Sequence, residues 1–451
     1  MLTRKERREA EKEVNYFFEW KKIQKHFFKD FTTQLKEVKD PRHQSYISYP
    51  SEVILLTLML KQATGLKSMR QLDESFNTEA AIGNVKSYLG ISELEELPHY
   101  DTINDYLEKL EPMELEKIRL SMIKQLLGKR SLEEFRLVES PKKNEKYWLV
   151  ALDGSGLHRF RQKHCEHCLK QVHTNKETGE TKVYYYHHVL EAKLVVGEMV
   201  FSIGSEFIEN EDENVEKQDC ELKAFYRLAA RLKKEFPRLP ICLLGDSLYS
   251  CDKVFQLCED NGWKYLLRFK DERIPSIAKE YETLKKLTPT QTKEVQTDER
   301  QERLKWINGI SYNKNQVNIC QSEVKDKLTE KETIYQYVTN VKLTSKIIEL
   351  IIAIGRSRWR IENEGFNTQK NHRLYIEHIN SYDYTAMKNH YLMAQITEMI
   401  MVLYEKGIKI FRVIKKTIKE KSSDLLEAFR RRTLTDEDLR RLETPIQMRF
   451  T

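Results

Sequence analysis

The chain has 451 residues, 33% of them charged, with a net charge of +7 and 7 cysteines. That length exceeds one ordinary core, so a catalytic domain with appended helical and β modules is expected. An odd cysteine count in a long charged chain argues against a disulfide framework. The opening MLTRKERREAEKEV reads as a charged helix rather than a secretion signal, and the longest apolar run, Ile347 to Ile354, is broken by Glu349 and is far shorter than the roughly 20 residues a membrane span needs. A cytoplasmic protein with no membrane role is the expectation.

Residues 1–140 read as a helical region, because apolar residues recur at helical spacing in SEVILLTLMLKQATG and in DTINDYLEKLEPMELEKIRLSMIKQLL. Within it, LPHYDTINDYLEKL has Pro98 ahead of an N-cap candidate at Asp101, which is how a recognition helix begins and equally how an ordinary bundle helix begins. At Lys146 the pattern changes to KYWLVALDGSG, a buried strand running into a turn at Asp153-Gly154. Further strands follow in YYYHHVLEAKLVVGEMVFSIGSEFI. DCELKAFYRLAARLKKEF is an amphipathic helix, and LPICLLGDSLYSCDKVFQLCEDNGWKYLLRFK gives strand, helix, strand. Residues 146–271 therefore read as an α/β unit with a mixed sheet. Weak periodicity over 272–343 suggests a β-rich insertion, with Asn308-Gly309 a hairpin turn candidate. Residues 344–400 return to helix, and 401–451 form a basic helical C-terminal region. Lys and Arg cluster near both ends and around Arg356 to Arg373, the pattern of a nucleic-acid binder.

Cleavage of a phosphodiester needs an activated nucleophile and a stabilised leaving oxygen, and two divalent ions held by a few carboxylates on rigid elements supply both. Asp153 and Asp246 each close a strand in this reading, where open α/β sheets place their sites. Each also has a plainer role, Asp153 in a turn with Gly154 and Asp246 as a helix cap. On the helix IIELIIAIGRSRWRIENEGFNTQKNHR, Arg358 and Glu362 share a face at about 40° separation, as a carboxylate and phosphate grip would, or as a solvent-exposed ion pair would.

The segments ALDGSG, LLGDSLYSCDKVFQLCEDNGWKYLLRFK and RSRWRIENEGFN resemble the three acidic motifs of the DDE transposases of bacterial insertion sequences, in the group with a β insertion before the final Glu. The resemblance covers roughly residues 146–400, and the Arg-Trp-x-Ile-Glu string is its most specific part. It implies an RNase H-like mixed-sheet core and metal-dependent cut-and-paste transposition, by cleavage and strand transfer at inverted-repeat ends. It also implies Mg²⁺ or Mn²⁺ as a two-ion cofactor. Carried over, Asp153, Asp246 and Glu362 are metal ligands and Arg358 contacts DNA near the cut, with Trp359 and Lys370 beside it. DNA and a second copy of the chain in a synaptic homodimer are the implied partners. Two positions depart from the family: Gly355 stands where a Tyr is usual, and Gln369 where a Lys is usual, Lys370 following one residue later. Glu364, in the same string, lies about 200° from Glu362 on an ideal helix, so only one of the two can face the aspartates.

His164-Cys165-x-His167-Cys168, followed by His173, His187 and His188, offers Cys165 and Cys168 as ligands for structural Zn²⁺, or a loop of ordinary polar groups. Cys220, Cys242, Cys251, Cys258 and Cys320 read as small core hydrophobes. Two further functions stay open beside the transposase: a catalytically silent DNA-binding regulator derived from one, and a stand-alone metal nuclease. All three acidic positions are intact, which argues against the silent regulator.

Overall fold

The computed structural model describes residues 14–43, 45, 47–140, 145–210, 217–288, 291–408, 411, 414–444, 448 and 450. Most of the helix expected at the start of the chain lies outside them. The helical region consists of α1 (Tyr16–Phe27), α2 (Phe31–Lys36), α3 (Ser51–Ala63), α4 (Arg70–Phe76), α5 (Glu79–Leu89), α6 (Tyr100–Lys109) and α7 (Pro112–Leu127). Helix α3, SEVILLTLMLKQA, carries apolar residues around its whole circumference and buries every residue but Glu52, as a helix with no polar stripe must. Helix α6 starts one residue before the expected cap: His99 is the N-cap and accepts from the Asp101 amide, leaving Asp101 in the first turn.

The sheet begins with β1 (Leu137–Ser140), β2 (Glu145–Phe160), β3 (Leu169–Thr174), β4 (Thr181–Val196) and β5 (Met199–Ile208). Helix α8 (Glu221–Glu235), β6 (Ile241–Gly245), α9 (Asp252–Asn261) and β7 (Lys264–Arg268) follow, then α10 (Pro275–Leu287), β8 (Thr292–Gln296), β9 (Arg300–Tyr312), β10 (Asn315–Asp326) and β11 (Glu332–Thr339). The described residues form an 11-stranded sheet in the order β3-β4-β2-β6-β7-β11-β10-β9-β8, with β5 beside β4 and β1 beside β2. The pairs β2/β6 and β6/β7 are parallel, each linked by a connection containing a helix, while β2/β4, β4/β5 and β11/β7 are antiparallel. The chain is thus a mixed α/β protein built on one large mixed sheet.

Three expectations change here. Asp153 does not end a strand, because β2 runs unbroken through it to Phe160. The segment 272–343 is not wholly β: Ile277, Ala278 and Tyr281, at helical spacing behind Pro275, bury one face of α10. Its strands also extend the main sheet through the β11/β7 pairing rather than forming a separate module. Asn308-Gly309 sits inside β9 as a bulge, with Gly309 at φ +77° and its amide donating to Asn318 Oδ1. The reversal comes later, at Asn313, whose φ of +53° suits a tight turn.

After the sheet come α11 (Ile348–Ser357), a π-helical turn over Ile361–Asn367, α12 (Thr368–Asn371), α13 (Tyr384–Gly407), α14 (Ile418–Arg431) and α15 (Asp436–Leu442). Strand residues alternate between two faces. Trp148, Val150, Leu152, Leu190 and Leu243 join one core shared with α8, the N-terminal helices and much of α13, whereas Leu149, Ala151, Cys242 and Leu244 face α11, Ile361 and Phe366. The N-terminal helices and the sheet therefore share a continuous core.

Candidate active site

Parallel register pairs Ala151 with Leu244; Asp153 follows two residues on within β2, and Asp246 two residues on, just past the end of β6. Asp153 falls on the face that carries Ala151, toward α11 and the π turn, where Arg358 meets it. Asp246 also takes the plainer role: it is the N-cap of the single turn Ser247–Tyr249, accepting from the Leu248 amide at 2.8 Å. Strand β6 ends at Gly245, so Asp246 lies at the open carboxyl end of the parallel strands even though β2 continues.

Gly154 serves packing rather than a turn. A Cβ there would stand 2.5 Å from Glu221 Oε2 and 3.0 Å from His188 Cε1, so the missing side chain admits both groups against β2. Glu221, the first residue of α8, acts on the charge of Asp153 and feels that of Asp246, a carboxylate that the sequence alone does not single out. Acids are common in first helical turns because they suit the helix dipole, which leaves no signal to separate this one. Tyr249 donates to Glu221 Oε1 at 2.6 Å, and burial raises the Tyr249 phenol well above its usual range, so it remains a donor.

Arg358 places a guanidinium nitrogen 3.7 Å from Asp153 Oδ2. Burial pushes the Asp153 carboxyl up to about 6; Arg358 opposes that rise, and the charges of Glu221, Asp246 and Glu362 add to it. Burial likewise raises Glu221, opposed by the Tyr249 hydrogen bond. The pocket therefore gathers more negative charge than Arg358 balances. Its donors are hard oxygens, the set that Mg²⁺ and Mn²⁺ take, so the residues present fit the expected ions. The three expected ligands do not close to within 4.8 Å of one another; among the described residues only Cys165, Cys168 and His187 form such a group.

Glu362 lies on the π turn and is exposed, not buried. It acts on the Asp153 charge, and Glu364 is not among the groups that do so. A π turn inserts one residue into the helical ladder, so Lys370, eight positions after Glu362, stands at about 20° from it rather than about 80°. Lys370 pairs with Glu377 at 2.8 Å, and its charge adds to burial in holding His188 down to about 4. Gln369 is buried and exchanges hydrogen bonds with Gln395 of α13, which leaves Lys370 as the cation on the site side. The other arginines of RSRWR are committed elsewhere: Arg356 grips Glu302 at 2.7 Å and Ser322 at 2.6 Å, and Arg360 donates to the Gly197 carbonyl at 2.6 Å. Trp359 projects with 46% of its surface exposed.

Cys165 and Cys168 meet His187 of β4 rather than the histidines of their own loop. His164 contacts the Tyr382 carbonyl and His167 that of Asn210, while His173 lies exposed on β3. No family model matches the chain, and no curated protein matches it either.

Proposed function

We propose that this chain is a DDE-type transposase with an RNase H-like core, cutting and joining DNA at the ends of an insertion sequence. The observation that carries the reading is the charge cluster around Asp153 of β2, where Arg358 lies 3.7 Å away and the charges of Asp246, just past the end of the parallel strand β6, and of Glu362 are felt. The order β5-β4-β2-β6-β7, antiparallel on one side of β2 and parallel on the other with helices between the parallel strands, is the strand pattern expected of such a core. In this reading Asp153, Asp246 and Glu362 would hold the divalent ions, with Glu221 supporting them. Bound there, such ions activate a hydroxyl nucleophile and neutralise charge on the phosphate.

The protein's own groups do the positioning. Arg358 leaves Asp153 for a non-bridging phosphate oxygen, an exchange of one anion for another that costs little Coulomb energy. Lys370 meets the next phosphate, and Trp359 offers an apolar ring to an unstacked base or sugar near the cut. His188, neutral near pH 7, can accept or donate a hydrogen bond without adding charge to the cluster. Bringing two DNA ends together calls for a second copy of the chain.

The test is incubation of the purified protein with Mg²⁺ and a DNA fragment spanning the inverted repeats that flank its coding region. Nicks or double-strand breaks at the repeat ends, absent in EDTA, support the reading. Binding without cleavage over a range of Mg²⁺ and Mn²⁺ would sink it in favour of the silent regulator.

A further inference from the structure

We propose that Cys165, Cys168 and His187 form a structural zinc site. The three ligand atoms make a nearly equilateral triangle: Sγ to Sγ is 3.6 Å, Cys165 Sγ to His187 Nε2 is 3.5 Å and Cys168 Sγ to His187 Nε2 is 3.7 Å. A tetrahedral ion with Zn–S of about 2.3 Å and Zn–N of about 2.0 Å has edges of about 3.8 Å between sulfurs and about 3.6 Å between sulfur and nitrogen. The triangle is one face of that tetrahedron. A disulfide would need the sulfurs at about 2.0 Å.

The Cys165 amide donates to Cys168 Sγ at 3.4 Å. Such an N–H···S bond is one that a metal-bound cysteine sulfur commonly accepts. The Tyr384 ring stacks on His187 at 4.6 Å and 30°, which fixes the imidazole plane. A water would complete the fourth position, since the His164 ring is held by the Tyr382 carbonyl.

The fold has a use for such a tie. Leu157 and His158 of β2 both stand opposite His187, a bulge in the β2/β4 ladder that leaves this end of the pair short of regular bonds. An ion here fastens the β2–β3 connection to β4 at the bulge. His187 faces the ion, and its neighbour His188 lies against Gly154 in the carboxylate pocket. The zinc would thus hold the strand that carries His188, whatever reaction the pocket performs.

The full chain, purified under reducing conditions with any histidine tag removed, should carry about one zinc per chain by elemental analysis. Replacement with Co²⁺ should give sulfur-to-cobalt charge-transfer absorption together with strong tetrahedral d–d bands. Cys168→Ser and His187→Ala should each cut zinc retention to below roughly a tenth against a moderate chelator, with Cys220→Ser unchanged. If the variants fail to fold, the wild-type measurements decide alone. A zinc-free wild type that takes up no Co²⁺, a cobalt spectrum without thiolate bands, or a Cys165–Cys168 disulfide in the purified chain would overturn the proposal.

Discussion

The ring of Tyr337 occupies the space in which a side chain at Gly355 would stand: a Cβ there would meet Tyr337 Cζ at 2.7 Å. Tyr337 of β11 thus fills the volume beside α11 that a side chain at position 355 would need. Gly355→Ala should therefore destabilise the protein by about 1–3 kcal/mol through overpacking. Urea denaturation measures it. Pairing the substitution with Tyr337→Leu should recover part of the loss, and a neutral Gly355→Ala would show that the ring moves aside freely.

Asp153→Asn should abolish strand cleavage while leaving end binding nearly intact. It should also reveal itself in stability. Because the folded pKa of Asp153 is raised from 3.8 to about 6, the unfolded chain binds fewer protons between those values. The group's contribution to stability is thus complete below pH 4 and is lost as pH rises through 6. In EDTA at pH 7, Asp153→Asn should melt higher than wild type, by at most about 3 kcal/mol in stability and less after allowance for partial exposure. The difference should vanish near pH 4. Equal melting curves at both pH values would contradict the buried-charge account.

Glu221→Gln should lower cleavage by about 10- to 100-fold and raise the Mg²⁺ concentration needed, with DNA binding unchanged, since it removes a charge beside the ions rather than a phosphate contact. Tyr249→Phe should have a smaller effect in the same direction. Wild-type Mg²⁺ dependence in Glu221→Gln would reduce Glu221 to a helix-start acid.

Glu362→Gln should eliminate Mg²⁺-dependent cleavage, whereas Glu364→Gln should retain it, after equal folding and end binding are confirmed for both. The reverse result would reassign the ligand and the facing of the π turn.

End-DNA affinity should fall steeply with salt, log K dropping by about 0.9 per phosphate neutralised, and Lys370→Ala should shallow that slope by about one phosphate. An unchanged slope would leave Lys370 committed to Glu377 alone.

Apolar periodicity made β2, β6, α8, α9 and β7 legible in the sequence, because each buries a face whose period differs between strand and helix. Helix α10 had the same signal in Ile277, Ala278, Tyr281 and Leu284, masked by the strand-like segments after it. Other features have no local signature. The role of Gly154 depends on where Glu221 and His188 arrive from distant elements. His187 meets the two thiols from β4, a separate strand, so nothing in the Cys165–Cys168 loop itself announces it. The π turn, which realigns Lys370 with Glu362, brings Gly365 against Lys193 of β4, where a Cβ would meet Lys193 Nζ at 3.2 Å, a contact between elements far apart in sequence.

Helix α13 is encoded late, yet it is the rod against which α1, α3, α6 and α7 pack, and it also touches β5. Asn389 on it donates to the carbonyls of Leu107 and Leu110, and the Gln62 amide donates to the His390 carbonyl. During synthesis α1, ending at Phe27, and α3, ending at Ala63, leave the ribosome more than 300 residues before their partner, which begins at Tyr384. Until then the apolar circumference of α3 has only incomplete cover. Contacts so distant in sequence make folding slow and leave the nascent chain open to aggregation. Yield in cells should therefore depend on translation speed and chaperone supply more than the stability of the finished protein suggests. A version split before α13 should recover its fold only when both pieces are made together.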